Sequence, residues 1–300
     1  MNILVTGGTV FASRYTAEYF RDKGHNVFVL NRGSREQSDG VTFIQGDRHA
    51  LNGKLKSYHF DAVIDVTAYN KTDIQDLVDE LGEINQYVFV SSSAVYPETN
   101  VQPFTEDQKC GVNCHWGAYG TNKIEAEEYL LTRVPQAYAI RPPYLYGKMN
   151  NVYREAFVFD CAEKDRKFYL PKDGDMKLQF FDIEDMCRFI EILLEEKPKQ
   201  HIFNVGNPNS ITIKEWVQQC YKVLGKTVQF ESVYSDVNQR DYFPFLDYDY
   251  RLDVEEMQKL MPKVKHLEDG LKESYEWYRE NRELVRVKPL IQYIDERIKE

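Results

Sequence analysis

The chain reads as an α/β protein built on a doubly wound parallel sheet, followed by a smaller and interrupted C-terminal lobe. Three observations carry this reading. The first thirteen residues, MNILVTGGTVFAS, run an uncharged apolar segment into a glycine turn and then into a helical pattern. Short apolar runs and amphipathic stretches then alternate up to about residue 140, which is the rhythm of strand–helix–strand units. Beyond Gly147 that rhythm loosens.

Residues 2–6 are long enough for one buried parallel strand. Gly7 and Gly8 end it, and a helix is expected over 14–23, with Tyr15, Tyr19 and Phe20 toward the sheet and Gly24 as its stop. Further strands are expected at 27–30, 41–44, 62–66, 87–91 and 137–140, with helices over 72–81 and 119–133. Ligands of such sheets lie beyond the carboxyl ends of the strands. Those ends carry Gly7, Asn31, Asp47, Thr67, Ser92 and Arg141. A dinucleotide-binding domain is therefore expected over 1–147, with segments near 182–206 returning to it, and a substrate lobe over 148–300. In that lobe helices are expected over 151–163, 184–195, 212–224 and 267–281, and strands over 167–170, 178–181 and 201–205. The third of these helices opens on a capping box, Thr212 and Glu215.

Three hundred residues are ample for a large core. A net charge of −10 argues against a nucleic-acid surface. The first strand begins at residue 2, leaving no room for a leader, and no run of about 18 apolar residues offers a membrane span. Five scattered cysteines, an odd number, fit a reducing, cytoplasmic setting. Cys110, Cys114 and His115 lack a second ligand pair and read as a loop, so no metal is expected.

A strand that turns through glycine into a helix N-terminus leaves backbone N–H groups free for a pyrophosphate. The fingerprint wants glycines at positions one, four and seven, and the chain supplies Gly7, Val10 and Ser13. Val10 puts a β-carbon where backbone approaches phosphate, so Val10→Gly is expected to tighten dinucleotide binding. The Ser13 hydroxyl is expected to donate to phosphate. Tyr119 and Lys123 are four apart and share one helix face. A tyrosine hydroxyl titrates near pH ~10, and a nearby ammonium lowers that value, which would let it take a proton from an alcohol. A serine of the run 91–93 would hold the same substrate oxygen. After the second strand, where NAD enzymes carry an acid, stand Asn31, Arg32 and Arg35. Without the acid a 2′-phosphate is not repelled, so NADP is expected over NAD.

These pieces, in this order, resemble the extended short-chain dehydrogenase/reductases of the nucleotide-sugar epimerase/dehydratase group. The matching segments are TGGT at 6–9, Gly46-Asp47, SSSAVY at 91–96, Tyr119 with Lys123, RPPYLYG at 141–147, FDIED at 181–185, FNVG at 203–206 and the closing helix, so the resemblance spans about residues 1–281. It implies a Rossmann-type fold and a catalytic set of Ser92, Tyr119 and Lys123. For the cofactor it implies Gly7, Gly8, Thr9, Val10, Phe11, Asn31, Arg32, Asp47, Arg48, Thr67, Ala68 and Pro143. For the substrate it implies Ser93, Tyr144, Asn151, Lys177 and Arg240, with Asn151 at a helix start beside a nucleotide-sugar pyrophosphate. Sugar dehydratases of the group place an acidic pair where this chain has Ser93 and Ala94. An epimerase acting on a UDP- or dTDP-sugar is therefore expected, a ketoreductase being the alternative. Asn31-Arg32-Gly33 and Gly46-Asp47-Arg48 also resemble a subgroup that includes chloroplast stem-loop RNA-binding proteins, whose members tend to lose the tyrosine. A non-catalytic dinucleotide- or RNA-binding protein is the second alternative. By analogy with the group, a homodimer through the helices over 72–81 and 119–133 is expected.

Overall fold

A computed structural model describes residues 1–234 and 236–299. In chain order the first half contains β1 (Asn2–Thr6), α1 (Phe11–Asp22), β2 (Asn26–Asn31), β3 (Thr42–Gln45), β4 (Ala62–Asp65), α2 (Lys71–Glu80), β5 (Tyr87–Val90), α3 (Ala118–Arg133) and β6 (Tyr138–Arg141). The second half contains β7 (Tyr144–Tyr146), α4 (Glu155–Glu163), β8 (Phe168–Pro171), β9 (Lys177–Leu178), β10 (Phe180–Asp182), α5 (Ile183–Glu196), β11 (Ile202–Asn204), β12 (Ile211–Thr212), α6 (Ile213–Val223), β13 (Phe230–Val233), α7 (Glu255–Leu260), α8 (Leu267–Glu280) and α9 (Leu290–Arg297).

Seven strands form one sheet in the order β11-β6-β5-β4-β1-β2-β3, and every pairing in it is parallel. The order reverses between β1 and β4, which is where an open α/β sheet leaves a crevice. β1 shows why the sheet lies between two helix layers. Ile3 and Val5 join one apolar cluster with Phe20 and Phe189, whereas Leu4 faces the other way into a cluster with Leu77 and Leu130. Alternation along the strand sends successive side chains to opposite faces, and a parallel strand covered on both must be apolar throughout. β11 returns to this sheet from beyond residue 200 and forms its edge. The remaining strands make three two-stranded pairs, β10 with β7, β12 with β9 and β13 with β8.

Several expectations need correction. α1 begins at Phe11, not at residue 14, and its buried face is Ser13, Thr16, Ala17 and Phe20. Tyr15 and Tyr19 lie at the margin, and the Tyr19 hydroxyl donates to Glu191 on α5 at 2.6 Å. α4 begins at Glu155, not at Asn151, because the Asn150 side chain accepts the N–H of Val152 and holds a turn there. The stretch expected as one strand over 178–181 is two, β9 and β10, interrupted at Gln179. β7, β12, β13, α7 and α9 have no expectation at all; each is eight residues or shorter and owes its form to its neighbours. Thr212 and Glu215 do form the capping box of α6, with both bonds between 3.0 and 3.1 Å. Among the described residues no helix is long and apolar enough to cross a membrane.

Candidate active site

The turn after β1 is a backbone device. Gly7 and Gly8 have φ of 88° and 81°, values that favour glycine. A β-carbon on Gly8 would meet Val29 Cγ1 at 2.5 Å, and one on Gly7 would meet Ser13 Oγ and Thr67 Cγ2 at 2.8 Å. Val10 is extended at φ −141°, open to any residue, and it is Phe11 that takes a positive φ of 35°. The Ser13 hydroxyl is buried and donates to Val10 O at 3.0 Å, so it is not directed at a phosphate. No side chain caps α1 and no acid stands in its first turn. Its leading N–H groups and its dipole are therefore open to an anion, and this turn fits the pyrophosphate of a dinucleotide.

The loops after β2, β3 and β4 form the flank of that site. Asn31 commits its amide to Gly7 O at 2.7 Å and to Gln37, and accepts the N–H of Gly33. Arg32 and Arg35 are exposed. Asp47 accepts the N–H of His49 and is otherwise exposed. Arg48, expected among the cofactor residues, is turned inward. Its terminal nitrogens reach Asp65 at 3.1 and 3.2 Å, the carbonyl of Asp73 at 3.1 Å and Thr67 Oγ1 at 2.9 Å. Asp65 is fully buried and also accepts from Thr6, Tyr87, Thr67 N and Ala68 N. Burial alone would raise its carboxyl, but Arg48, Thr6 and Tyr87 outweigh it and hold the group below its ordinary value. Arg48 and Thr67 thus stiffen the loop that presents Ala68.

A cleft of about 490 Å³ opens beside this turn, lined by Phe11, Ser92, Ser93, Tyr119, Lys123 and Arg154 among others. Its chemistry comes from three segments. Ser91 is buried and donates to Glu127, which is held by Arg141 at 2.6 Å, so that serine is committed to structure. Ser92 caps the short turn Ser93–Val95 by accepting the N–H of Ala94 at 3.2 Å. α3 presses on this turn because residue 120 is glycine. A β-carbon there would lie 2.3 Å from the carbonyl oxygen of Ala94. That close approach sets Tyr119 against Ser92.

Lys123, one turn further, is buried and donates to Ala68 O at 2.7 Å and Val90 O at 2.9 Å, with its ammonium 4.6 Å over the Phe89 ring. It ties α3 to the ends of β4 and β5. Burial lowers its pKa to about 8. Lys123 holds its ammonium 5.9 Å over the Tyr119 ring, yet it is not among the groups that lower the hydroxyl. Burial raises the Tyr119 hydroxyl, and the groups that pull it back are the Ser92 hydroxyl and the Arg154 guanidinium.

Pro143, Ser93 and Tyr144 line the same cleft. Asn151 does not. It lies in the turn before α4, where its carbonyl accepts the N–H of Arg286, so the helix-start argument for it fails. Lys177 is exposed on β9, away from the cleft lining. Arg240, on the short turn Gln239–Asp241, is half-buried and acts electrostatically on Tyr144. Residues that sequence reasoning missed are Arg154, Trp116, Tyr69 and Tyr250. Tyr250 is carried in by long-range pairing, Phe104 bridging Leu252 and Gln102 donating to the Asp249 carbonyl, for which no local signal exists. Arg154 falls inside the helix expected over 151–163, where a single cation carries no local signal of a site.

The model of the NAD dependent epimerase/dehydratase family matches residues 3–206. Chloroplast stem-loop binding protein of 41 kDa b from Arabidopsis thaliana is 25% identical over 300 residues, covering 91% of this chain and 78% of its own length. UDP-glucose 4-epimerase of Corynebacterium glutamicum is 24% identical, covering 77% of this chain and 83% of its own. Among solved structures, the UDP-glucose 4-epimerase of Thermotoga maritima with UDP-glucose superposes with a TM-score of 0.78 at 18% identity, covering 94% of this chain and all of that one. The dTDP-glucose 4,6-dehydratase of Bacillus anthracis in complex with NAD gives 0.76 at 22%, covering 97% and 99%. The turn, the sheet order and the matched span agree: this chain is an enzyme of the NAD-dependent epimerase/dehydratase family, with a nicotinamide dinucleotide as its cofactor.

Proposed function

We propose that the enzyme is an epimerase acting on a nucleotide sugar through a transient keto intermediate. One observation carries this reading. The cleft brings Ser92, Tyr119 and Lys123 together, and no aspartate or glutamate is among its lining residues. Dehydration needs an acid to protonate a leaving hydroxyl, and Ser93 and Ala94 stand where dehydratases of the group carry theirs. With the dinucleotide carrying the hydride, epimerisation asks of the protein a base that takes a hydroxyl proton and returns it, and no further acid.

Gly7, Gly8, Thr9, Val10 and Phe11 would hold the diphosphate at the start of α1, with Asp47 at the adenine, Ala68 on the loop wall and Pro143 at the nicotinamide. When bound, the dinucleotide supplies the acceptor and donor of hydride. Tyr119 would take the proton from the sugar hydroxyl, while Ser92 orients that oxygen. Lys123 would position the helix through its two carbonyl bonds and hold the nicotinamide ribose. Asn31, with Arg32 and Arg35 exposed beside it, supports NADP over NAD, since no carboxylate at the end of β2 opposes a 2′-phosphate. Arg240 supports a diphosphate-bearing substrate, since this half-buried guanidinium has no carboxylate within ion-pair distance among the described residues.

Tyr119→Phe is the test, assayed across UDP- and dTDP-sugars for interconversion without net change in the reduced cofactor. Loss of about 10²–10⁴-fold in turnover is expected. Turnover within a few-fold of wild type would overturn the assignment, and stoichiometric release of oxidised or reduced cofactor would favour the ketoreductase.

A further inference from the structure

Arg154 is a cation to which the chemistry above assigns no ligand. It forms the N-cap of α4 and lines the cleft with Ser92, Tyr119 and Tyr250. Its guanidinium lies 4.6 Å over the Tyr144 ring and 5.9 Å over that of Phe245, and it donates to the carbonyl of Leu145 at 3.3 Å. None of these partners is an anion. Its neighbour Glu155 points elsewhere, accepting from Asn150 at 2.8 Å, Ser274 at 3.2 Å and the N–H of Gly147 at 3.4 Å. Among the described residues no carboxylate lies within ion-pair distance of Arg154. A guanidinium partly withdrawn from water without a counter-ion is unfavourable, and unlike a lysine it cannot escape by losing its proton.

Two more cations stand nearby but outside the cleft lining. One is Arg240. The other is Lys288, on the C-terminal segment that Arg286 N pins to Asn151 O at 2.9 Å. Burial lowers the Lys288 pKa, and the charges of Arg240 and Arg154 lower it further. Arg154 lines the cleft with Tyr119, whereas Arg240 and Lys288 are not among its lining residues.

We infer that Arg154 receives an anionic group carried by the reacting sugar ring, a carboxylate, so that the substrates are nucleotide-linked sugar acids rather than neutral hexoses. This rests on the epimerase reading of the same cleft. The flat guanidinium, supported from below by Tyr144, matches a carboxylate through two parallel N–H···O bonds. Among the described residues no carboxylate lines the cleft to compete for that position.

The test measures binding and interconversion of UDP-glucuronate, UDP-glucose and UDP, together with the corresponding dTDP pair, in the holoenzyme. Wild type, Arg154→Gln and Arg154→Lys are compared. A charge-assisted pair predicts that wild type binds the uronate about tenfold or more above the neutral sugar. Arg154→Gln should erase that preference while UDP and UDP-glucose bind as before, and Arg154→Lys should recover part of it. Equal weakening of uronate, neutral sugar and UDP in Arg154→Gln would put Arg154 on the diphosphate and overturn the inference. A wild type that prefers the neutral sugar would overturn it too. Uronate selectivity that depends on Arg154 without any interconversion would sink the epimerase reading and leave this one standing. Interconversion of neutral sugars by a wild type that shows no preference for the uronate would do the reverse.

Discussion

The dinucleotide end of the cleft, from Gly7 to Ser13 with the loops after β2 to β4, differs in construction from the end around Tyr144 and Arg154. At the first, polar side chains are largely satisfied by the protein itself. Asn31 serves Gly7 and Gln37, Ser13 serves Val10, and Arg48 is matched to Asp65. What is left open is backbone, the N–H groups at the start of α1, and their access is protected by glycines that admit no β-carbon. At the second end it is side chains that are left open, with Arg154 over Tyr144 and no carboxylate in the lining. A ligand shared by a whole family can be bound by main chain, which any sequence supplies. A substrate that sets one member apart has to be met by side chains.

Asp65→Ala attacks the satisfied end and carries the largest expected effect. It strands Arg48 in a mostly buried position, and removing one partner of a buried pair costs about 3–5 kcal/mol. Urea unfolding would register this, and dinucleotide affinity should fall with it as the loop presenting Ala68 loosens. A loss below about 1 kcal/mol would show the pair to be no more than a surface-type contact. In wild type the Asp65 contribution is present above the ordinary carboxylate range and disappears as pH falls through the lowered native value.

Gly120→Ala strikes the joint between the two ends. The added carbon meets the Ala94 carbonyl at 2.3 Å, and neither helix nor turn can yield easily. Overpacking of this kind costs about 1–3 kcal/mol, and turnover should fall more than affinity because Tyr119 and Ser92 separate. Unchanged melting temperature and turnover together would mean that the approach is not what aligns them.

A third effect concerns pH. Burial raises Asp182 to about 7 against the opposing pull of Lys265, and its Oδ2 has no hydrogen-bond partner while Oδ1 caps α5. Between about pH 4 and that value the native chain holds a proton the unfolded chain has released, so this contribution to stability declines as pH rises through about 7. Asp182→Asn keeps a cap and removes the titration. Its melting temperature relative to wild type should climb between about pH 5 and about pH 8, and a constant difference across that range would contradict the assignment.

Legibility in the sequence followed the same division. β1 is read from Asn2 to Thr6 without error, because an uncharged run ending in two glycines admits few other structures. The Tyr119–Lys123 pair is legible because a spacing of four is a property of the helix itself. The role given to Lys123 is not, since its burial and its bonds to Ala68 and Val90 depend on two strands distant in sequence. Asn151 was misplaced for a related reason: a local turn held by Asn150 overrides the helical pattern that follows.

By itself, then, the order of residues determined the parallel sheet, the glycine turn and the face of α3 that bears Tyr119. These follow from periodicity and backbone sterics, which act over a few residues. Only the tertiary structure decided that Arg48 turns inward, that Tyr250 joins the cleft and that Arg154 stands there without an anion. Each of these depends on which groups meet across long stretches of chain, and pairing or its absence in a buried place is a property of the assembled fold.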